Sequence, residues 1–380
     1  MQIYVVKPQD TVTSIAASFG ISTDSILYTN QIPYPYTLAV GQALLLNTGP
    51  NTGQRLPIKS NGYAYPYISP WVLEQTLPYL TELSIFAYGF TERGDLLSPP
   101  LDDGFMISAA RNFGVTPILT LAPLGSDGNF DNNLIHALLQ NPAAVSNLLT
   151  QLTDLMKQKD FGGLDVDFEY ILEEDRNAYS AFIRQAADAV HAQGNRLSVA
   201  LAPKSGISDI SILTIGLDYQ SLGQAADQVL LMTYEWGYKY GPNLPVAPLN
   251  KVRQVVEYAV TQIPPEKIQL GVPNYGYDWP LPYIRNATEA VTIGNVEAVQ
   301  IAVANRAEIQ FDEIAMSPFF RYTQAQTAHE VWFEDVRSLR AKFELIREFG
   351  LLGAGYWQIM DWYLANWLLL SDTFWIKKGT

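Results

Sequence analysis

Phe161-Gly162-Gly163-Leu164-Asp165-Val166-Asp167-Phe168-Glu169-Tyr170 alternates apolar and acidic residues at the period of a β-strand. That period turns Asp165, Asp167 and Glu169 to one face and Leu164, Val166 and Phe168 to the other. Neighbouring carboxylates on such a face stand roughly 6.6 to 6.8 Å apart, and burying an ionised group without a partner costs several kcal/mol. Either protons are shared along the row or a bound ligand compensates. The apolar side suits the helix-covered face of a parallel strand. Three readings are open: a solvated polar sheet face, an oxygen-ligand site for Mg or Ca, or general acid/base chemistry. Both metals usually recruit carboxylates from loops with nearby carbonyls, and the glycines introduce a segment that is otherwise apolar. Like charges held together push a pKa toward neutrality, and this favours the acid/base reading.

Outward from this stretch the chain alternates strands and helices, the pattern of a parallel sheet with right-handed crossovers. Strands are expected over 62–65, 83–87, 116–121, 163–169, 197–202, 228–234, 268–272 and 353–358, eight in all, the number that closes a (β/α)8 TIM barrel. The interval before the last strand is too long for one βα unit, so an insertion is expected at about 279–335. The 380 residues suit such an α/β barrel plus a small module, and 48% hydrophobic content supplies its core.

A net charge of -14, from 38 acidic against 24 basic residues, argues against nucleic acid as a partner. The 22 tyrosines and 8 tryptophans suit the apolar faces of sugars, although a large barrel holds many core aromatics in any case. With no cysteine there is no disulfide or thiol chemistry, and His136, His191 and His329 lack metal-ligand spacing. No metal or organic cofactor is expected. No stretch approaches the roughly 20 apolar residues of a membrane span, and no signal peptide is visible at the start of the chain.

Residues 1–47 read as a separate βααβ unit. A strand near Ile3 to Val6 leads to Asp10, which can cap a helix that Gly20 ends; a second helix runs from about Ser22 to Asn30, and a strand closes the unit after the Pro-rich turn Ile32-Pro33-Tyr34-Pro35-Tyr36. Residues 48–61, rich in Gly, Pro, Asn and Thr, read as a linker, leaving 62–380 for the barrel.

Two resemblances rest on these residues. Asp165-x-Asp167-x-Glu169 is similar to the D-G-x-D-x-D-x-E signature of glycoside hydrolase family 18, which ends the fourth strand of a (β/α)8 barrel, with Gly162 standing where the signature has its first Asp. Met232-Thr233-Tyr234-Glu235 resembles the Met-x-Tyr-Asp of the sixth strand, with Glu235 for Asp, and Gly355-Tyr356-Trp357 the end of the eighth. The resemblance implies Glu169 as acid and base, Asp167 and Asp165 as its partners, Tyr234 on the substrate acetamide, and Met232, Glu235 and Trp357 at the substrate. Tyr88 and Asn274, with Tyr275 and Asp278, end other strands and are weaker candidates. It implies a retaining mechanism through an oxazolinium ion formed by the substrate's own 2-acetamido group. The insertion at about 279–335 resembles the small α+β insertion carried by many barrel enzymes of that family.

The N-terminal unit resembles a LysM domain through Tyr4-Val5-Val6, Asp10-Thr11-Val12, Phe19-Gly20, Asn30 and Val40-Gly41-Gln42. That implies binding of N-acetylglucosamine-containing glycans through Asp10, Thr11, Val12 and the loop from Ile32 to Leu38, from a module tethered flexibly to the barrel. Together the two parts, with the run Tyr234 to Tyr238, resemble the bacterial spore cortex-lytic N-acetylglucosaminidases, whose members often carry two LysM repeats where one is read here. The expected partner is peptidoglycan or a chitin-like polymer, the expected state a monomer, and the expected place the spore coat or cortex surface, with the cytoplasm as the other location. A chitinase, an endo-β-N-acetylglucosaminidase, an inactive glycan-binding protein and a carboxylate-dependent metal hydrolase remain as alternatives.

Overall fold

The computed structural model describes residues 1–49 and 53–379. Eight strands, Leu56–Ala64, Glu82–Phe90, Thr116–Leu121, Gly163–Val166, Arg196–Leu201, Gln228–Leu231, Ile268–Pro273 and Gly353–Trp357, pair in parallel around a closed ring. Helices cover the outside, and the largest apolar core lies between them and the strands. Leu164, Val166 and Phe168 are almost fully buried in that layer, while Asp165 and Asp167 turn inward. The alternation therefore sorts the fourth strand as expected.

Three boundaries differ from the sequence reading. The part of the expected linker from Leu56 to Asn61 belongs to the first barrel strand, while residues 50–52 lie outside the described residues. Lys59 and Asn61 look like loop residues because they are polar, but they face a polar barrel floor. The Lys59 Nζ donates to Glu82 Oε1 at 2.8 Å and Gln228 Oε1 at 2.6 Å, and Asn61 pairs with Ser84. Second, the fourth and sixth strands stop at Val166 and Leu231, short of the expected 169 and 234, because cross-strand pairing ends there. Beyond them the chain leaves regular pairing and reaches Tyr170 (φ 56°) and Glu235 (φ 68°), both left-handed. Third, the insertion begins at Gly276, directly off the seventh strand, as a five-stranded antiparallel sheet with a helix over Asn295–Ala304.

In the N-terminal unit, strands Gln2–Val5 and Ala43–Leu46 pair antiparallel beneath helices Val12–Phe19 and Thr23–Thr29. The first helix is capped by Thr11 in a capping box with Ser14, not by Asp10, whose carboxylate is taken by the Lys7 N–H and the Tyr4 hydroxyl, both at 2.7 Å. Gly20 ends it in the left-handed region that favours glycine.

The unit is not loosely tethered. Gln31 exchanges two hydrogen bonds with the backbone of Trp362 and Leu364, and the N-terminal ammonium meets Asp372 at 2.9 Å. Ile309 N–H donates to Val40 O at 2.9 Å, Gly41 fits so close to Ile309 O that a Cβ would stand 1.8 Å from it, and Leu45 joins the main core. A face that buries apolar surface and pairs backbone groups this way is docked.

Candidate active site

Asp165, fully buried within the fourth strand, accepts from Tyr63 Oη at 2.9 Å and from Ser198 Oγ at 2.6 Å. Burial pushes its carboxyl up to about 6, against the pull of those two donors. Asp167 stands one step beyond the last strand pairing, held by its N–H to Leu121 O. Its Oδ1 is buried with no partner among the described residues, and burial, then the charges of Glu169 and Asp165, push its acid well above the ordinary carboxylate range. Glu169 is half-buried, and burial together with Glu235 raises its acid. Asp167 and Glu169, both raised and each facing another carboxylate, titrate as a coupled pair.

The sixth strand delivers the next side chains. Thr233 turns into the barrel wall, donating to Gly271 O at 2.8 Å, so its neighbours Met232 and Tyr234 face the cavity. Gly271 leaves room for the Tyr234 ring: a Cβ there would lie 2.9 Å from ring carbon Cε1. Glu235 accepts from the hydroxyls of Tyr275 and Tyr277, which work against the upward push of burial on its acid.

Trp357, at the end of the eighth strand, packs edge-on to Phe86 at 4.8 Å and near Tyr63 and Tyr65. These rings with Phe130, Met232 and Tyr234 enclose a cavity of about 200 Å³ onto which Asp167 and Glu169 open. A second cavity of about 250 Å³ lies on the other side of Glu169, walled by Pro203, Leu213 and Trp236, and shares Met232, Tyr234 and Glu235 with the first. Glu169 therefore lines both of two adjoining chambers.

The structure brings Asp165, Asp167, Glu169, Met232, Tyr234, Glu235 and Trp357 together and leaves the weaker candidates out. Tyr88 is fully buried in the helix layer, bonded to Asp103 and Lys159. The pairing of its strand shifts between Ile85 and Tyr88, and the extra residue reverses the alternation, so Phe86 and Ala87 point inward in its place. Asn274 does not line the cavity. It donates to Gln358 O at 3.1 Å and Asp361 O at 2.9 Å, and so braces the segment that follows Trp357. Tyr275 donates its hydroxyl to Glu235, and Asp278 is held by Tyr322 and His329 inside the insertion.

In the N-terminal unit Asp10 and Thr11 hold their own turn and cap, and Val12 is core. Ile32 lines a cavity of about 240 Å³ shared with Val296 and Val299 of the insertion helix. Sequence reasoning missed Tyr63, Tyr65, Phe86, Phe130, Ser198 and Trp236. The i, i+2 spacing of Tyr63 and Tyr65 on the first strand is the signal that could have found two of them.

The family model for glycosyl hydrolases family 18 matches residues 118–361, and the LysM domain model matches residues 4–47. The cortical fragment-lytic enzyme of Bacillus subtilis (strain 168) is 37% identical over 435 aligned positions, covering all of this chain and all of that protein. Among solved structures, the Bacillus cereus spore cortex-lytic enzyme SleL superposes with a TM-score of 0.94 at 29% identity, over 99% of both chains. SleL of Bacillus megaterium QM B1551 gives 0.92 at 32% identity, again over 99% of both. With the carboxylate row, the two chambers and the matched models in agreement, this chain belongs to the glycosyl hydrolases family 18 and carries a LysM domain ahead of its barrel.

Proposed function

We propose that the chain hydrolyses the glycan of spore cortex peptidoglycan at N-acetylglucosamine, with retention and with the substrate's acetamide as nucleophile. One observation carries the reading: Asp167 Oδ1 is buried at the cavity wall with no partner, beside Glu169. A buried acceptor left unpaired costs about 1 to 3 kcal/mol, and the N–H of a 2-acetamido group seated over Trp357 supplies what it lacks. Glu169, protonated, gives its proton to the glycosidic oxygen as the C1–O bond breaks. The acetamide oxygen closes on C1 to form the oxazolinium ion, whose charge Asp167 offsets while Asp165 shares the proton between them. Tyr234 directs its hydroxyl at the acetamide. Glu169, now a carboxylate, takes a proton from water as that water opens the ring at C1.

The assignment to cortex follows from full-length similarity to a protein named a cortical fragment-lytic enzyme and to two named spore cortex-lytic. On this reading the protein acts at the spore, as a monomer away from membranes, with the LysM unit holding N-acetylglucosamine-containing glycan on its Ile32 to Leu38 loop. Mass spectrometry of products from purified cortex fragments tests this against chitin oligosaccharides. New reducing ends on N-acetylglucosamine from cortex are expected. New reducing ends on muramic acid, or cleavage of chitin with cortex untouched, contradict it.

A further inference from the structure

At the opposite end of the barrel from Glu169, a cavity of about 450 Å³ opens through the floor. Among the described residues, five of the chain's 24 lysines and arginines line it, Lys59, Arg111, Arg196, Lys377 and Lys378, in a protein of net charge -14. One carboxylate, Glu82, lines it too, and it is already paired with Lys59 at 2.8 Å. Arg111 is paired with the exposed Asp160 at 3.0 Å, and the Lys378 ammonium donates to three carbonyls, of Leu77, Pro78 and Leu80. Among the described residues Arg196 and Lys377 have no carboxylate within ion-pair distance. Cationic residues gathered around a concave wall raise the local concentration of small anions.

Gly162 lies in this wall, and it is the position at which the chain departs from its family's acidic signature. A Cβ at Gly162 would stand 2.3 Å from Thr116 Cγ2 and 3.6 Å from Arg111 Nη2. The Thr116 methyl thus occupies the place of a side chain at Gly162, and Arg111 has no carboxylate from that position beside it. The C-terminal segment closes the cavity from outside, fixed by the Thr81 hydroxyl to Lys377 O at 2.5 Å and by Gly379 N–H to Gly114 O at 2.9 Å.

We propose that this floor cavity is a binding site for a small doubly charged anion, an inorganic oxyanion or a dicarboxylate, held between Arg196, Lys377 and Arg111. The bound anion supplies the charge that Gly162 does not, and it ties the C-terminal segment to the start of the fourth and fifth strands. The site is separate from the catalytic end, so occupancy changes stability and leaves hydrolysis alone.

The test is thermal unfolding of the full chain titrated with phosphate, sulfate or malonate, each against sodium chloride of equal ionic strength, which removes general screening. Expected is a saturable rise in midpoint of about 2 °C or more, lost in the double variant Arg196→Gln/Lys377→Gln. Because both side chains are exposed, the variant folds, and its turnover matches the wild type. Phosphate and sulfate acting without malonate identify an oxyanion site, and malonate acting alone a dicarboxylate site. No rise beyond the chloride control with any of the three, or an equal rise in the double variant, overturns the proposal.

Discussion

The two ends of the barrel interior treat buried charge in opposite ways. At the floor, Glu82 is paired with Lys59 and takes further hydrogen bonds from Gln228, so the carboxylate there is fully served. At the top, Asp165 is served by two hydroxyls, Asp167 keeps one oxygen unpartnered, and Glu169 opens on the cavities. No cation stands against the upper row: in the described residues the ion pairs involve none of its three acids. Paired charge at the floor fixes structure, whereas unpaired acids at the top keep protons available for transfer. The same residue type does different work according to whether the chain itself supplies its partner.

Replacing one member at each end should therefore have contrasting effects. Glu169→Gln removes the transferable proton but keeps size and polarity, and turnover should fall at least about a hundredfold with an unchanged unfolding midpoint. Steady-state kinetics on cortex fragments alongside circular dichroism give both numbers, and near wild-type turnover removes Glu169 from the mechanism.

Deleting residues 1–47 strips Leu45 from the main core and leaves Ile309 N–H and the Trp362 carbonyl unpaired. The truncated barrel should lose several kcal/mol of stability, since a buried leucine alone is worth about 2 to 5. Chemical denaturation of both forms measures it. An unaltered midpoint means that the module only rests on the barrel.

At the floor, Glu82→Gln leaves the Lys59 ammonium without its counter-charge and should cost about 3 kcal/mol. Turnover per folded molecule should stay within about twofold, because the change lies at the far end from Glu169. A large loss of turnover at full folding would join the two ends into one functional unit.

The smallest effect is in pH. Asp165 titrates at about 6 in the folded chain against about 3.9 unfolded, so between these values the folded state binds more protons. Stability attributable to Asp165 is then fully present below about pH 4 and is lost as pH rises through about 6. Urea unfolding from pH 4 to 7 should show a shallower fall for Asp165→Asn than for the wild type. Identical slopes would mean that Asp165 is ionised throughout.

Much of the barrel is legible in the sequence because period-two alternation survives wherever one face of a strand is apolar, as in Leu164, Val166 and Phe168. It fails where a strand points polar groups at polar groups. Lys59 and Asn61 read as linker because their partners, Glu82 and Ser84, lie more than twenty residues on. It fails again at Tyr88, where an irregular pairing reverses the face, and at Phe130, a loop residue placed by tertiary packing alone. The docking of the N-terminal unit was equally invisible, since Gln31, Gly41 and Leu45 are ordinary residues until Trp362, Ile309 and the barrel core stand opposite them. The acids of the site were readable for the reason that makes them costly: no ordinary core places three carboxyls in a row.

The claim at the centre of this account is that the unpartnered oxygen of Asp167 receives the substrate's acetamide. Calorimetric binding of N-acetylglucosamine thiazoline, a stable mimic of the cyclised intermediate, tests it most directly. The wild type should bind the thiazoline in the micromolar range, and Asp167→Asn should bind it at least about tenfold more weakly, a difference of about 1.4 kcal/mol. No binding to the wild type at millimolar thiazoline, or equal affinity in the two proteins, would contradict it.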